Sequence, residues 1–188
     1  MLSKKHYEVL VDAIKNRKNI LVVGGTGSGK TTFANALIDS IVNANPNHRL
    51  IIIEDTAEIQ CNAKNRVILR ATNKVSILRL LKATMRLRPD RIIVGEVRGR
   101  EALDLLKAWN TGHPGGVATV HANSAKGGLI RLEQLIAEGT ATPMKELIAE
   151  AINIVVFIQK CSNGREIKEV IEVTNFDPKT KQYVINNL

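Results

Sequence analysis

A glycine-rich segment between an apolar run and a predicted helix has the spacing of a phosphate-binding loop. Residues 24–31 read G-G-T-G-S-G-K-T, which fits the pattern G-x-x-x-x-G-K-T. Glycines let the backbone wrap a polyphosphate closely, so that N–H groups and the positive end of the next helix dipole meet the anion. In this pattern Lys30 reaches the β- and γ-phosphates, and the Thr31 hydroxyl binds Mg²⁺. The predicted nucleoside triphosphate site comprises Gly24, Gly25, Thr26, Gly27, Ser28, Gly29, Lys30, Thr31 and Thr32.

Three other apolar runs end in side chains that could act on a bound triphosphate. Residues 50–53 lead into an acidic segment with Glu54, Asp55 and Glu58. Residues 92–94 lead into Gly95 and Glu96, and residues 117–120 lead into His121. Open α/β sheets bind their ligands at the carboxyl ends of the strands. We therefore expect these side chains to face the triphosphate together with Lys30.

The two acidic positions have different predicted roles. Phosphate-loop enzymes usually carry an aspartate for the magnesium shell at such a strand end, often followed by a glutamate that polarises the attacking water. Here Gly95 occupies the aspartate position, so Glu96 is predicted to be the base that orients water. Glu54, Asp55 or Glu58 would then help to hold Mg²⁺ and its waters, and a solvated acidic loop is the alternative.

The histidines leave alternatives open. His121 is predicted to donate to the γ-phosphate or to sense its loss, unless it is only a polar residue at a strand end. His113 stands beside Pro114-Gly115-Gly116, where it is either a turn residue or a site residue.

The order of predicted elements indicates an α/β fold with a mostly parallel sheet and a C-terminal antiparallel β extension. Predicted strands cover residues 20–23, 50–53, 67–69, 91–94, 117–120, 152–160 and 166–174, and predicted helices cover 4–18, 30–43, 75–87, 101–111, 129–138 and 143–151. Ser3 is predicted to cap the first helix and Thr142 the last, with Pro143 at its first position. Asn163-Gly164 predicts a hairpin turn, and Asp177-Pro178 a turn into a final strand.

Length and composition bound the class of protein. The chain has 188 residues, 44% of them hydrophobic, which suits one compact domain over residues 1–188. Without a signal-peptide pattern or a run of roughly eighteen apolar residues, we expect a protein that is neither secreted nor membrane-spanning. Cys61 and Cys161 have no zinc-site spacing. A net charge of +9 permits contact with nucleic acid or an anionic membrane, whereas an aromatic content of 3% disfavours a base-stacking platform.

Together these motifs resemble the secretion-type ATPase superfamily, which powers type II and type IV secretion, pili and conjugation. Its four boxes match residues 24–31 (Walker A), 54–58 (acidic), 92–96 (an atypical Walker B) and 112–121 (histidine). The stretch from Leu87 to Arg98 is especially characteristic, and residues 113–123 look most like the TrbB-type conjugative transfer ATPases. The four-cysteine zinc element of type II secretion members and the Ala-Ile-Arg-Asn-Leu stretch of pilus retraction members are absent from the sequence.

The resemblance implies a RecA-like core that binds and hydrolyses ATP with Mg²⁺. Its predicted catalytic residues are Lys30, Glu96 and His121, and its predicted metal-site residues are Thr31, Glu54 and Glu58. It also implies a homo-oligomer, a hexamer in the full-length protein, that is cytoplasmic and peripheral at the inner membrane, with secretion or conjugation machinery as its partner.

One departure from the family concerns its N-terminal domain, which helps to close over the nucleotide. We expect this chain to be an isolated C-terminal ATPase domain without it. In the family, arginines of that domain neutralise the γ-phosphate. Some arginines of this chain are candidates for that role, and surface salt bridges are their alternative role. These candidates are Arg86, Arg88, Arg98 and Arg131.

Three functions stay open. The first is a ring motor that couples ATP hydrolysis to transfer of DNA or protein or to pilus assembly, with pilus retraction and type II secretion as close variants. The second is a nucleotide-binding assembly module that is inactive without the N-terminal domain. The third is a DNA-binding motor, favoured by the net charge; salt-insensitive or absent DNA binding would exclude it.

Overall fold

The computed structural model describes residues 2–162 and 164–188, in which strands and helices mostly alternate before three consecutive C-terminal strands. The strands are β1 (Ile20–Val23), β2 (Leu50–Glu54), β3 (Arg66–Arg70), β4 (Arg91–Val94), β5 (Val117–Val120), β6 (Ile154–Cys161), β7 (Gly164–Asp177) and β8 (Gln182–Asn187). The helices are α1 (Lys4–Lys15), α2 (Lys30–Ala44), α3 (Ile77–Thr84), α4 (Glu101–Asn110), α5 (Ala125–Ala137) and α6 (Lys145–Ala151), and a 3₁₀ turn (Met85–Leu87) follows α3. Within these described ranges, none of the helices has both the length and the apolar character needed to cross a membrane.

The strands form one sheet in the order β3-β2-β4-β5-β1-β6-β7-β8. β1 pairs in parallel with β5 on one side and with β6 on the other, while β7 and β8 continue the sheet in antiparallel pairing. Every residue of β1, β2, β4 and β5 is buried, as expected of parallel strands covered on both faces. The predicted α/β fold is confirmed, and the C-terminal extension joins the main sheet through β6.

Helices cover both faces of this sheet. Leu10 of α1 packs in one core with Ile20 of β1, and Trp109 of α4 packs in the other core with Leu21. Neighbouring residues of β1 enter opposite cores because side chains alternate along a strand. The sheet is therefore held from both sides, and the carboxyl ends of β1, β4 and β5 lie at one edge.

Strand bounds were predicted better than helix bounds. The bounds of β1, β4 and β5 are confirmed to the residue. α1 ends before the predicted residue 18 because Arg17 has a left-handed backbone with a φ of 54°. α3 starts later than predicted, since Val75 pairs with Thr72 in an isolated bridge and the Ser76 side chain caps the helix.

Caps explain the differences in the last two helices. α5 starts before the predicted residue 129 because the Ser124 hydroxyl accepts the Gly127 N–H at 2.9 Å. The prediction of Thr142 as an N-cap is wrong: α6 starts at Lys145 without a side-chain cap, and the Thr142 N–H donates to Thr140 Oγ1 at 3.3 Å. The prediction of a turn at Asn163 falls outside the described residues, although β6 and β7 do form an antiparallel pair.

Candidate nucleotide-binding site

The predicted phosphate loop spans the turn from β1 to α2. Gly27 and Gly29 have φ angles of 69° and 96°, a left-handed backbone that glycine adopts without steric cost. Because no side chain caps the 15-residue helix α2, its first-turn N–H groups are available to an anion. The Ser28 hydroxyl is buried and has no hydrogen-bond partner among the described residues. The loop has the form and the spare donors of an anion cradle.

The Lys30 ammonium group lies inside this loop. Nζ donates to the Gly25 carbonyl oxygen at 3.0 Å and lies 3.4 Å from His121 Nε2. Burial lowers the pKa of Lys30, and the negative charges of Glu96 and Glu58 oppose that effect. Phosphate oxygens would be stronger partners for this cation than a neutral carbonyl.

The Glu96 carboxylate lies between Arg98 and His121. Its Oε2 accepts from Arg98 Nε at 2.8 Å and from Nη2 at 2.5 Å, and its Oε1 lies 2.7 Å from His121 Nε2. Glu96 Oε1 and His121 Nε2 are within ion-pair distance but are not aligned for a hydrogen bond. Glu96 Oε1 has no hydrogen-bond partner in the described part of the chain. Arg98 Nη1 also donates to Asp55 Oδ2 at 2.6 Å, and the hydrogen bond with Glu96 raises the pKa of Arg98. The ends of β4 and β5 thus bring Glu96 and His121 to Lys30.

The acidic segment after β2 contains two different glutamates. The buried Glu54 carboxylate accepts the N–H groups of Glu58 and Ile59 through Oε2, each at 3.0 Å, and its Oε1 lies 3.7 Å from Arg70 Nε. These bonds fold the segment over the loop, where Glu58 Oε2 accepts the Thr31 hydroxyl at 2.9 Å. Glu58, rather than Glu54, presents its oxygen atoms to Thr31.

The donor set around Thr31 fits a magnesium ion. Thr31, Asp55, Glu58, Glu96 and Arg98 are among the residues that line a small cavity of about 30 Å³. Over residues 2–162 and 164–188, no group of three or more His, Cys, Asp or Glu side chains could hold a metal ion. Mg²⁺ is usually bound through one or two carboxylates together with substrate phosphates and waters. The Thr31 hydroxyl and the Glu58 carboxylate are compatible with such a site, whose other ligands would be nucleotide phosphates and waters.

Only part of the predicted arginine set reaches this cluster. Arg86 lies in the 3₁₀ turn before β4 and Arg88 directly follows that turn, so both lie toward the amino ends of the strands, away from the loop. Arg131 Nη1 donates to Gln134 Oε1 at 3.2 Å on its own helix. Arg98 is the member of the set that contacts the acidic residues.

The two histidines of the histidine box lie at opposite edges of the sheet. His113 precedes β5, and its Nδ1 donates to the Pro89 carbonyl oxygen at 2.9 Å, whereas His121 follows β5. Of the two alternatives left open for His113, a role in the candidate site is not supported, because its side chain bonds to Pro89 at the amino end of β5.

Two arginines were not recognised from the sequence. Arg91 is fully buried and ties α1 to the turn before β5, with Nη2 donating to the Ile14 carbonyl at 3.0 Å and Nη1 to the Gly115 carbonyl at 2.9 Å. Burial lowers the pKa of Arg91 to about 10, so it stays cationic at neutral pH. Arg165 of β7 packs against the phosphate loop, since a Cβ on Gly29 would lie 2.4 Å from Arg165 Cδ. It lies outside every motif, and only the pairing of β6 with β1 brings it there.

Comparison with known proteins agrees with this geometry. Residues 1–185 match the family described as "Type II/IV secretion system protein". The chain is 58% identical over 164 residues to the "Probable conjugal transfer protein TrbB" of Sinorhizobium fredii (strain NBRC 101917 / NGR234), covering 87% of this chain and 50% of that protein. It is 54% identical over 176 residues to the "Conjugal transfer protein TrbB" of Rhizobium radiobacter, covering 94% of this chain and 54% of that protein.

A solved structure supports the same assignment. The VirB11 ATPase from the Brucella suis type IV secretion system, in complex with sulphate, matches with a TM-score of 0.83 and 32% identity, over 94% of this chain and 53% of that one. The sheet and loop thus define a RecA-like phosphate-loop fold. The chain belongs to the type II/IV secretion system protein family, which confirms the resemblance, including its TrbB-type character. It spans about half the length of the curated relatives it matches, 50% of one and 54% of the other.

Proposed function

We propose that this chain is the ATP-hydrolysing motor domain of a type IV secretion or conjugative transfer ATPase. The observation that carries the proposal is the convergence of three side chains at one edge of the parallel sheet. His121 Nε2 lies 3.4 Å from Lys30 Nζ and 2.7 Å from Glu96 Oε1. The relatives named TrbB and VirB11 support the transfer and secretion context.

Binding and hydrolysis divide among the site residues. The loop N–H groups and Lys30 hold the phosphates, and Glu96 orients a water molecule for in-line attack on the terminal phosphorus. His121 donates to the γ-phosphate as the bond to the leaving ADP oxygen breaks. Mg²⁺ would be held by Thr31 with Glu58 or Asp55, partly through water, and it supplies charge neutralisation on the phosphate oxygens.

Lys30→Ala and Glu96→Gln separate binding from hydrolysis. We expect Lys30→Ala to lose nucleotide binding and turnover together. Glu96→Gln should bind ATP with nearly unchanged affinity. It should hydrolyse ATP at least about 10²-fold more slowly, because the water loses its orienting carboxylate. Calorimetric ATP binding and phosphate release are the measurements.

Two exposed residues provide matched controls for these variants. Lys107→Ala on α4 and Glu146→Gln on α6 make the same changes of side chain at exposed positions and should behave like the wild type. ATP turnover by Lys30→Ala would exclude the assigned site, and loss of ATP binding by Glu96→Gln would make Glu96 a structural residue.

The proposal extends to assembly and location. We propose a homo-oligomer, a hexamer in the full-length protein, that is cytoplasmic and peripheral at the inner membrane. There it contacts the secretion or conjugation machinery, as the relatives' names support. The net charge of +9 supports nucleic acid contact as a further part of the proposal.

The Arg98–Glu96 ion pair favours a second candidate function. Two nitrogens of Arg98 engage the carboxylate that would orient water, at 2.8 Å and 2.5 Å. A chain in which this pair persists would bind nucleotide and assemble with its neighbours but turn over slowly. Assembly of the wild-type chain in the presence of ATP without phosphate release is the result expected of such a module.

A further inference from the structure

The β6–β7 hairpin packs against both ends of the phosphate loop. β6 pairs with β1 from Ile154 to Phe157 and then continues to Cys161, past the carboxyl end of β1. A Cβ on Gly24 would lie 2.4 Å from the Ile158 carbonyl oxygen. The hairpin therefore packs directly against the phosphate loop and is not remote from it.

The β6–β7 hairpin brings the charged side chain of Arg165 to the phosphate loop. A Cβ on Gly29 would lie 2.4 Å from Arg165 Cδ and 2.8 Å from Arg165 Nε. Gly29 directly precedes Lys30 and caps α2 with a φ of 96°. The guanidinium stem thus crosses the last glycine of the loop, next to the amino end of the helix where phosphates would bind.

The order of strands determines which end of a nucleotide this arginine faces. In the order β4-β5-β1-β6-β7, the strands before Glu96 and His121 lie on one side of β1, and the hairpin with Arg165 lies on the other. A triphosphate whose γ end lies at Glu96 and His121 extends its α end away from them. That direction leads toward β6 and β7.

We propose that Arg165 anchors the α- and β-phosphates of the bound nucleotide, on the side opposite to the hydrolytic residues. The inference rests on the proposed function, namely that the loop binds a nucleotide. A guanidinium group donates two parallel hydrogen bonds to phosphate oxygens, which gives both charge and orientation. Since ADP and ATP share these phosphates, Arg165 contributes to the affinity for both nucleotides and not to the hydrolytic step.

Substitution of Arg165 in the 188-residue chain tests this assignment. Arg165→Gln removes the charge and keeps most of the stem, and we expect it to weaken binding of ADP and of a non-hydrolysable ATP analogue alike, by about tenfold or more. Arg165→Lys keeps the charge without the planar fork and should bind with intermediate affinity. The kcat at saturating ATP should stay near the wild-type value while KM rises.

Lys168→Gln is the matched control, because Lys168 lies on the same strand and is ion-paired with Glu166 at 2.6 Å. It should bind both nucleotides like the wild type. The thermal midpoints of all variants without nucleotide establish that they fold; should Arg165→Gln fail to fold, the comparison of Arg165→Lys with the wild type decides in the same way.

Two results would overturn the assignment. One is ADP affinity of the Arg165 variant equal to that of the wild type. The other is a loss confined to the ATP analogue, which would place the contact at the γ-phosphate. A wild-type chain that binds neither nucleotide would instead overturn the proposed function itself, so the two failures are distinguishable.

Discussion

At the scale of single residues, the two glutamates of the acidic segment show how burial assigns roles. Glu54 is 2% exposed, and its Oε2 is committed to two backbone N–H groups. Glu58 is exposed and contacts the Thr31 hydroxyl. The sequence predicted both as metal-site residues. We now expect Glu54 to position the segment and Glu58 to act at the metal.

Substitution of each glutamate by glutamine separates these roles. Glu54→Gln is expected to lower the free energy of unfolding by about 1–3 kcal/mol, because a buried carboxylate loses its charge-assisted bonds. Glu58→Gln should change that free energy by less than about 0.5 kcal/mol and should raise the Mg²⁺ concentration needed for half-maximal turnover. Urea unfolding and Mg²⁺ titration measure the two effects. An unchanged Mg²⁺ requirement in Glu58→Gln would contradict its role at the metal.

At the scale of elements, one polar cluster attaches the last strands to α5 and α6. The Tyr183 hydroxyl of β8 donates to Glu133 Oε1 of α5 at 2.8 Å, and Lys145 Nζ of α6 lies 3.2 Å from Glu133 Oε2. The rings of Phe176 and Tyr183 meet edge to face with 5.6 Å between centroids. Burial, and then the hydrogen bond to Glu133, raise the pKa of Tyr183 above its ordinary value of 10.0. The Tyr183 phenol is therefore packed in its neutral form in the folded protein.

Tyr183→Phe should lower the free energy of unfolding at neutral pH by about 1–2 kcal/mol, because Glu133 loses a donor. The wild type's larger free energy of unfolding, relative to Tyr183→Phe, is fully present below the ordinary tyrosine pKa of 10.0. It falls as the pH rises above that value, since the unfolded chain then releases a phenol proton that the folded chain retains. Urea unfolding at neutral pH and near pH 11 measures the change.

The control for this prediction is Tyr7→Phe, because Tyr7 on α1 is 57% exposed. This variant should match the wild type at both pH values. A Tyr183→Phe deficit that is the same at neutral and alkaline pH would show that the phenol proton plays no part in stability.

At the scale of the whole molecule, the candidate site lies at an open edge of the sheet. The side chains of His121 and Arg98 are 45% and 60% exposed. Phosphoryl transfer gains from a site that excludes water and from an added arginine. The surface around this edge is therefore suited to completion by another subunit, which agrees with the proposed homo-oligomer.

Activity that depends on assembly should depend on concentration. We expect ATP turnover per chain to rise steeply with protein concentration, because a neighbouring subunit then covers the site and supplies transition-state charge. Phosphate release over a dilution series, with sedimentation in the presence of ATP, measures both quantities. Turnover per chain that stays constant while the protein sediments as a monomer would show that one chain forms a complete site.

Local patterns predicted the parts of the fold that depend on neighbours in sequence. β1, β4 and β5 were bounded correctly because short, mostly apolar runs fit buried parallel strands. Helix starts were less predictable because several residues compete to cap them. The Ser124 hydroxyl caps the start of α5, whereas the Thr142 N–H donates to Thr140 Oγ1 and α6 starts without a side-chain cap.

The sequence by itself determined the phosphate loop, the mostly parallel sheet and the family, since glycine spacing and apolar runs act over a few residues. Only the tertiary structure decided which polar side chains meet. Arg98 reaches Glu96 while Arg86 lies toward the other edge, and Arg165 crosses Gly29. The physical reason is the strand order β4-β5-β1-β6-β7, which joins distant parts of the chain at one edge and is set by packing of the whole sheet.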